Sequence, residues 1–195
     1  MRVLGLTGSI GTGKTTTARL FAEAGVPVHD ADAAVHRLYA GALVPAIEAA
    51  FPGSTSGGSV DRAALAKAVL GDADALRRLE SVVHPAVRAA EAEFLAAVRR
   101  AGARLAVIDV PLLLETRRPL GVDAVLVVTC SAEIQRQRVL ARPGMTEERF
   151  AAIRARQMPD AEKRRHAHFI IDSGFGIPAA RGAVADLLRA VASMF

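Results

Sequence analysis

Eight residues near the start of the chain, Gly8-Ser9-Ile10-Gly11-Thr12-Gly13-Lys14-Thr15, fit the pattern G-x-x-x-x-G-K-[ST] in full. The glycines let the backbone fold tightly, so that successive N–H groups point inward at phosphate oxygens. A helix beginning there presents its positive N-terminus to the same anions. Lys14 supplies a charge for the β and γ phosphates, and the Thr15 hydroxyl is placed to ligate Mg²⁺. With Thr16, one residue further on, Gly8 to Thr15 form the candidate ATP contacts.

That loop implies nucleotide binding and leaves the reaction open. A GTPase needs N-K-x-D to read guanine, and this chain has no asparagine. A mechanical ATPase usually carries a longer apolar strand ending in paired acids. A kinase acting on a small molecule needs an acceptor pocket, an acid near the acceptor hydroxyl and arginines that close over the phosphates. A binding module without catalysis needs neither the acid nor the arginines. Asp30-Ala31-Asp32 directly follows a predicted strand, where ligands of doubly wound sheets bind. Asp32 can accept the acceptor's proton or hold a Mg²⁺-bound water; the alternative for either acid, above all Asp30, is to cap the next helix. Arg138 and Arg142 fall one turn apart on a predicted helix. Closing over the transferring phosphoryl group, they would stabilise its charge and exclude water, with Pro143-Gly144 as a hinge. Arg136 and Arg149 better suit a solvated face.

Short apolar runs predict strands at Val3–Thr7, Val26–His29, Leu105–Val110, Ala124–Thr129 and Phe169–Ile171. Between them the spacing predicts helices over Lys14–Ala24 (Ala18, Phe21 and Ala22 inward), Ala31–Tyr39, Asp61–Leu70, Asp74–Val83 and Pro85–Ala101. Further helices are expected over 131–141, 146–157, 160–167 and 178–192. Residues 40–60 read as a looser region with a flexible turn at Ser56-Gly57-Gly58-Ser59. Strands alternating with helices, without a hairpin signal, predict a parallel α/β sheet.

The 195 residues, 51% of them apolar, can bury a substantial core. Aromatic residues are scarce, at 4%, which argues against a single-stranded nucleic-acid binder built on stacked rings. The net charge of +5 is local. Between Gln135 and His166 there are nine Lys/Arg and four Asp/Glu, while the rest of the chain has sixteen of each sign. An anionic ligand held at one place fits this better than a duplex. The single cysteine, Cys130, permits no disulfide within the chain, and no apolar run is long enough for a membrane span. With the phosphate motif starting at Gly8, no cleaved signal is expected ahead of it. The expected setting is the cytoplasm, with no nucleic acid or membrane as partner, and a monomer or weak homo-oligomer.

The combination of GLTGSIGTGKT, VHDAD, His84-Pro85 and DVPLLLE from Asp109 to Glu115 closely resembles the dephospho-CoA kinase family. The resemblance continues through Asp61-Arg62 and Leu65, then Gln135, Arg138, Arg142 and Gln157, to the last strand. It implies transfer of the ATP γ-phosphate to the ribose 3′-hydroxyl of dephospho-CoA, the final step of coenzyme A synthesis, with Mg²⁺. It gives Asp32 the role of catalytic acid-base or metal-organising carboxylate, beside Thr15 as a metal contact, and puts Lys14, Arg138 and Arg142 at the reacting phosphates. Asp30, Arg62, His84, Leu112 and Glu115 fall to the acceptor side. Taken alone, His84 reads as a helix-start or buried histidine and Glu115 as a solvated loop acid. Two departures, Ala167-His168 and Asp172-Ser173-Gly174, lie near the expected adenine-binding loop. The implied architecture is a three-layer P-loop nucleoside-triphosphate hydrolase-like fold with a five-stranded parallel sheet. Its core comprises 1–32, 102–134 and 167–195, the helical acceptor subdomain 33–101 and the helical lid 135–166.

Overall fold

The most apolar runs of the chain lie side by side. In the computed structural model, which describes residues 1–115 and 121–192, β1 (Arg2–Thr7) is flanked by β5 (Leu105–Asp109) and β6 (Ala124–Thr129), both parallel to it. The next strand outward is β7 (Phe169–Asp172), parallel to β6. With β2 (Val28–Asp30) at the other edge, the five-stranded parallel sheet has the order β2-β5-β1-β6-β7.

Both faces of the sheet are covered, so its strands need no polar alternation. Leu126 and Val128 of β6 join Leu4, Leu6, Val107 and Ile171 on one face. Helices α1 (Lys14–Glu23) and α9 (Gly176–Ala192) complete that layer with Leu20, Phe21, Val184 and Leu187. Val125 and Val127 point the other way, to Leu113, with Val110, Val122 and Ala167 packed against them. The result is a three-layer α/β arrangement. In α1 the inward residues are Thr17, Ala18, Leu20 and Phe21, and Ala22 is exposed instead of buried.

The chain divides into two units. One comprises residues 1–28 and 101–195, the other 29–100. Within the second, α2 (Ala31–Tyr39), α3 (Val44–Ala50), α4 (Arg62–Val69) and α5 (Ala73–Arg100) enclose Leu43, Ile47, Phe51, Val60, Leu65, Ala75 and Val83. Three expectations are corrected here. Residues 44–50 of the looser region form α3, anchored by the fully buried Ile47. The Gly57-Gly58 turn, with φ of 58° and 78°, closes a short antiparallel hairpin of β3 (Thr55–Ser56) and β4 (Ser59–Val60). Two glycines with positive φ are what a two-residue hairpin turn requires. And α5 is one helix, with Pro85 inside it. The inward residues Ala75, Leu79, Val82, Val83, Ala86 and Val87 keep helical spacing across the proline. Pro85 itself is on the exposed side, so continuous burial on the opposite face outweighs the lost backbone bond.

In the first unit α6 (Ala132–Leu140), α7 (Glu147–Ala155) and α8 (Asp160–Arg165) follow β6. Ser131 caps α6 and Thr146 caps α7 through their hydroxyl oxygens, which accept from Ile134 and Arg149 N–H. Helix α6 stops at Leu140, so Arg142 lies beyond its end and not one turn from Arg138 on it. Pro143 explains the stop, because a residue preceding proline is disfavoured in helical geometry.

Candidate active site

Gly8 leaves β1 where only a glycine fits: a Cβ there would lie 2.7 Å from both the Val128 carbonyl oxygen and the Thr12 hydroxyl. Gly11 and Gly13 then take φ of 80° and 90°, a region side chains rarely adopt. The loop's carbonyls are turned to donors around it. Ser9 C=O accepts from Thr12 N–H at 3.2 Å and from the Thr12 hydroxyl at 2.8 Å. Ile10 C=O accepts from Gln135 Nε2 at 2.7 Å, and Thr12 C=O accepts from the Ser173 hydroxyl at 2.6 Å. The first intrahelical bond of α1 runs from Thr17 N–H to Gly13 C=O, at 3.0 Å. Gly13 has no side chain with which to cap the helix, so the N–H groups of its first turn are available to an anion.

Lys14 stands at the head of α1, and its Nζ is 2.5 Å from Oδ1 of Asp109, the last residue of β5. The Asp109 side chain is 3% exposed and that of Lys14 16%. The carboxylate is therefore held inside while the ammonium keeps access to the mouth of the loop. Thr15 is exposed and Thr16 half-buried in the same first turn.

Arg138 comes from α6. Its guanidinium donates to the Ser173 hydroxyl at 2.8 Å and to the Ser173 carbonyl at 2.9 Å. A Cβ on Gly13 would be 3.7 Å from the same guanidinium, and 3.0 Å from the Ser173 hydroxyl. A positive group is thus fixed beside the loop's last glycine. Arg142 is exposed. A cavity of about 660 Å³ adjoins the loop, with Ser9, Thr12, Cys130, Gln135, Phe150 and Gln157 among its walls. Burial pushes the Cys130 thiol above its ordinary value, against the opposing pull of the Arg138 guanidinium.

Beyond β5, Leu112 is 44% exposed. Glu115 is not a solvated loop acid. Its Oε1 pairs with Nζ of the fully buried Lys163 at 2.8 Å and accepts from Met158 N–H at 2.9 Å. These bonds tie the segment after β5 to α8 and to the link that precedes it. The residues of the second unit are arranged as follows. Asp30 caps α2 by accepting from Ala33 N–H, while Asp32 is exposed in that helix's first turn. Arg62 donates to the His36 ring at 2.9 Å, and His84 is half-buried on α5.

Several of these partners are not assigned by sequence reasoning. Asp109 ends a buried apolar strand, which is a usable signal for a carboxylate at a sheet's ligand edge. Ser173, a departure from the family pattern, meets the phosphate loop rather than standing apart from it. His168, the other departure, accepts from Val125 N–H through Nδ1 at 3.1 Å, next to the β6–β7 pairing.

A glycine loop of this shape at the head of a helix, on a parallel sheet covered on both faces, defines a P-loop nucleotide-binding protein. Comparison with known proteins makes the class specific. The dephospho-CoA kinase family model matches residues 2–178. Dephospho-CoA kinase of Mesorhizobium japonicum is 64% identical over 97% of this chain and 98% of its own. The crystal structure of TT1252 from Thermus thermophilus superposes with a TM-score of 0.86 at 34% identity, covering 97% of this chain and 96% of that one. Dephospho-CoA kinase from Campylobacter jejuni, with a TM-score of 0.66 at 21% identity over 97% of each chain, shares the fold. The chain belongs to the dephospho-CoA kinase family and is an ATP-dependent kinase.

Proposed function

We propose that the protein binds Mg-ATP on the Gly8–Thr16 loop and transfers its γ-phosphate to the ribose 3′-hydroxyl of dephospho-CoA, giving coenzyme A and ADP. The observation that carries this reading is the Lys14–Asp109 pair at the head of α1. It keeps an ammonium where the loop's N–H groups gather phosphates. In the transfer, the hydroxyl oxygen bonds to the γ-phosphorus and the bond from that phosphorus to the β–γ bridging oxygen breaks. The hydroxyl proton leaves to a base, for which Asp32 is the candidate; its other possible task is to organise Mg²⁺.

Thr15, exposed in the first turn of α1, suits a Mg²⁺ that arrives with the nucleotide. Among the described residues no cluster of three or more His, Cys, Asp or Glu forms a metal cage. That fits an ion held largely by phosphates and one or two side chains. Arg138 and Arg142 stabilise the charge that develops on the transferring group. Residues 135–166 serve as the lid and 33–101 as the acceptor subdomain, which supplies Arg62 and His84; Asp30, Leu112 and Glu115 are the candidate substrate contacts outside it. The enzyme works in the cytoplasm as a monomer or weak homo-oligomer, without nucleic acid or membrane. No helix among the described residues is long and apolar enough to cross a membrane, and the local basic surplus of 135–166 fits a small anionic ligand.

The test is ADP release in a coupled assay with and without dephospho-CoA, with the product identified by mass and by phosphorus NMR. ADP formation that depends on dephospho-CoA and yields a 3′-phosphate is expected. Equal ADP release without acceptor, or faster transfer to another small alcohol, would reject the proposal.

A further inference from the structure

Two glutamines hold the two peptide units that flank Ile10 in the phosphate loop. Ile10 N–H donates to Gln157 Oε1 at 3.0 Å, and Ile10 C=O accepts from Gln135 Nε2 at 2.7 Å. The backbone settles which end of each amide is which, since an N–H can only donate and a carbonyl can only accept. Gln135 is therefore a donor and Gln157 an acceptor, and the two are not interchangeable. Gln135 is 9% exposed on α6, and Gln157 follows the end of α7.

The consequence for the loop comes from peptide planarity. Ile10 C=O and Gly11 N–H belong to one planar unit and point in opposite directions. A carbonyl pinned toward Gln135 turns the Gly11 N–H away from α6. The fit is close as well as directional: a Cβ on Gly11 would come within 2.5 Å of Val139 Cγ2 and 3.0 Å of the Gln135 carbonyl oxygen. Helix α6 is thus seated against the loop at Gly11, and Gln135 bonds it there.

We propose that Gln135 and Gln157 are positioning residues that set the peptides on either side of Ile10 for phosphate binding, Gln157 the Ser9–Ile10 unit and Gln135 the Ile10–Gly11 unit, so that the loop takes its binding shape only when α6 and the segment after α7 are docked on it. The inference rests on the nucleotide reading above and adds a dependence that the loop motif does not contain. Neither glutamine needs to touch the nucleotide.

The experiment measures ATP affinity of the full chain by calorimetry, together with KM values for both substrates and amide exchange at Ile10. Removing one hydrogen bond and leaving its half-buried partner unsatisfied costs enough to weaken binding by about 10-fold. Gln135→Met and Gln157→Met should each weaken ATP binding by about that factor and leave KM for dephospho-CoA within about twofold. Gln157→Met should also expose the Ile10 amide to exchange. The charged variants separate positioning from general damage. Gln157→Glu keeps an acceptor for Ile10 N–H, whereas Gln135→Glu cannot donate to Ile10 C=O, and both add the same charge. Gln135→Glu should therefore bind ATP more weakly than Gln157→Glu, and only Gln157→Glu should keep the Ile10 amide protected. Methionine variants that fold and bind ATP within about twofold of wild type would overturn the proposal. Should the methionine variants not fold, equal ATP affinity in the two glutamate variants would overturn it instead. A wild-type chain that binds no ATP is a different result, and it would overturn the nucleotide reading itself.

Discussion

Lys14 Nζ is 2.5 Å from Asp109 Oδ1, so the lysine of the phosphate loop is held by the carboxylate that ends β5. The pair places the ammonium and also neutralises a charge that is almost fully buried. Lys14→Ala should lower turnover by about 10³ or more, by analogy with other charges supplied to transferring phosphates. It should also cost about 1–3 kcal/mol of stability, less than for a fully enclosed pair because Lys14 reaches water. Urea unfolding and steady-state kinetics check the two effects. Near wild-type turnover in a folded Lys14→Ala protein would refute the phosphate role.

Of the two candidate lid arginines, Arg138 is tied to the loop's surroundings by Ser173, while Arg142 is exposed. Arg138→Ala and Arg142→Ala are each expected to lower kcat far more than they raise KM for ATP, by about 10³ for a group acting on the transferring phosphoryl. Ser173→Ala removes both the hydroxyl that orients Arg138 and the donor to Thr12 C=O. It should lower kcat by about 10-fold, a hydrogen bond's worth, without removing the positive charge. A change confined to KM in the arginine variants would assign them to ground-state binding.

The parts legible in the sequence are those fixed by backbone chemistry or by long burial. The glycine loop is legible because φ of 80° and 90° at Gly11 and Gly13 demands glycine. The inner strands are legible because both faces are buried, which makes the run of Leu105–Asp109 or Ala124–Thr129 almost wholly apolar. Pro85 misleads because its cost is local, while the packing that carries α5 through it comes from residues on the other face. Partners far apart in sequence leave no periodic trace. Ser173 meets Thr12 across 161 positions, and Gln157 meets Ile10 across 147. The ion pair of Glu115 with Lys163 is hidden for the same reason, since each residue alone looks like a solvated charge.

His29 provides a pH test within the second unit. It is 5% exposed, and its ring centroid is 5.1 Å from that of Phe94. Burial, with a smaller effect of the Arg37 charge, lowers its pKa below the ordinary 6.5, against the opposing pull of Asp30. Between the folded and unfolded values the unfolded chain binds more protons, so stability rises with pH in that window. His29 therefore contributes stability that is complete above about pH 6.5 and is lost as pH falls toward the folded value. Urea titrations of wild type and His29→Phe from pH 8 to 5 should diverge below about pH 6.5. The wild type should fall more steeply, by at most about 1.4 kcal/mol per pH unit. Parallel curves would show that His29 is not the titrating group.

Asp32 is the residue on which the difference between kinase and nucleotide binder should turn. It is exposed in the first turn of α2, while its neighbour Asp30 is committed to capping that helix. A side chain already accepting a backbone N–H is poorly placed to take a proton as well, so the free carboxylate of the two is the better base. Asp32→Asn keeps the size and most of the hydrogen bonding and removes the charge. ATP affinity should then change little, while phosphorylation of dephospho-CoA falls by about 10²–10⁴, the range for general acid–base groups. Asp30→Asn should be mild by comparison, since asparagine caps a helix about as well as aspartate. Titrating Mg²⁺ in Asp32→Asn separates its two possible tasks: recovery at high metal assigns the carboxylate to the ion, and no recovery assigns it to the proton. A kcat close to wild type would refute both, and Asp109 would become the next acid to test, with the loss of its bond to Lys14 as the confounding effect to be measured alongside.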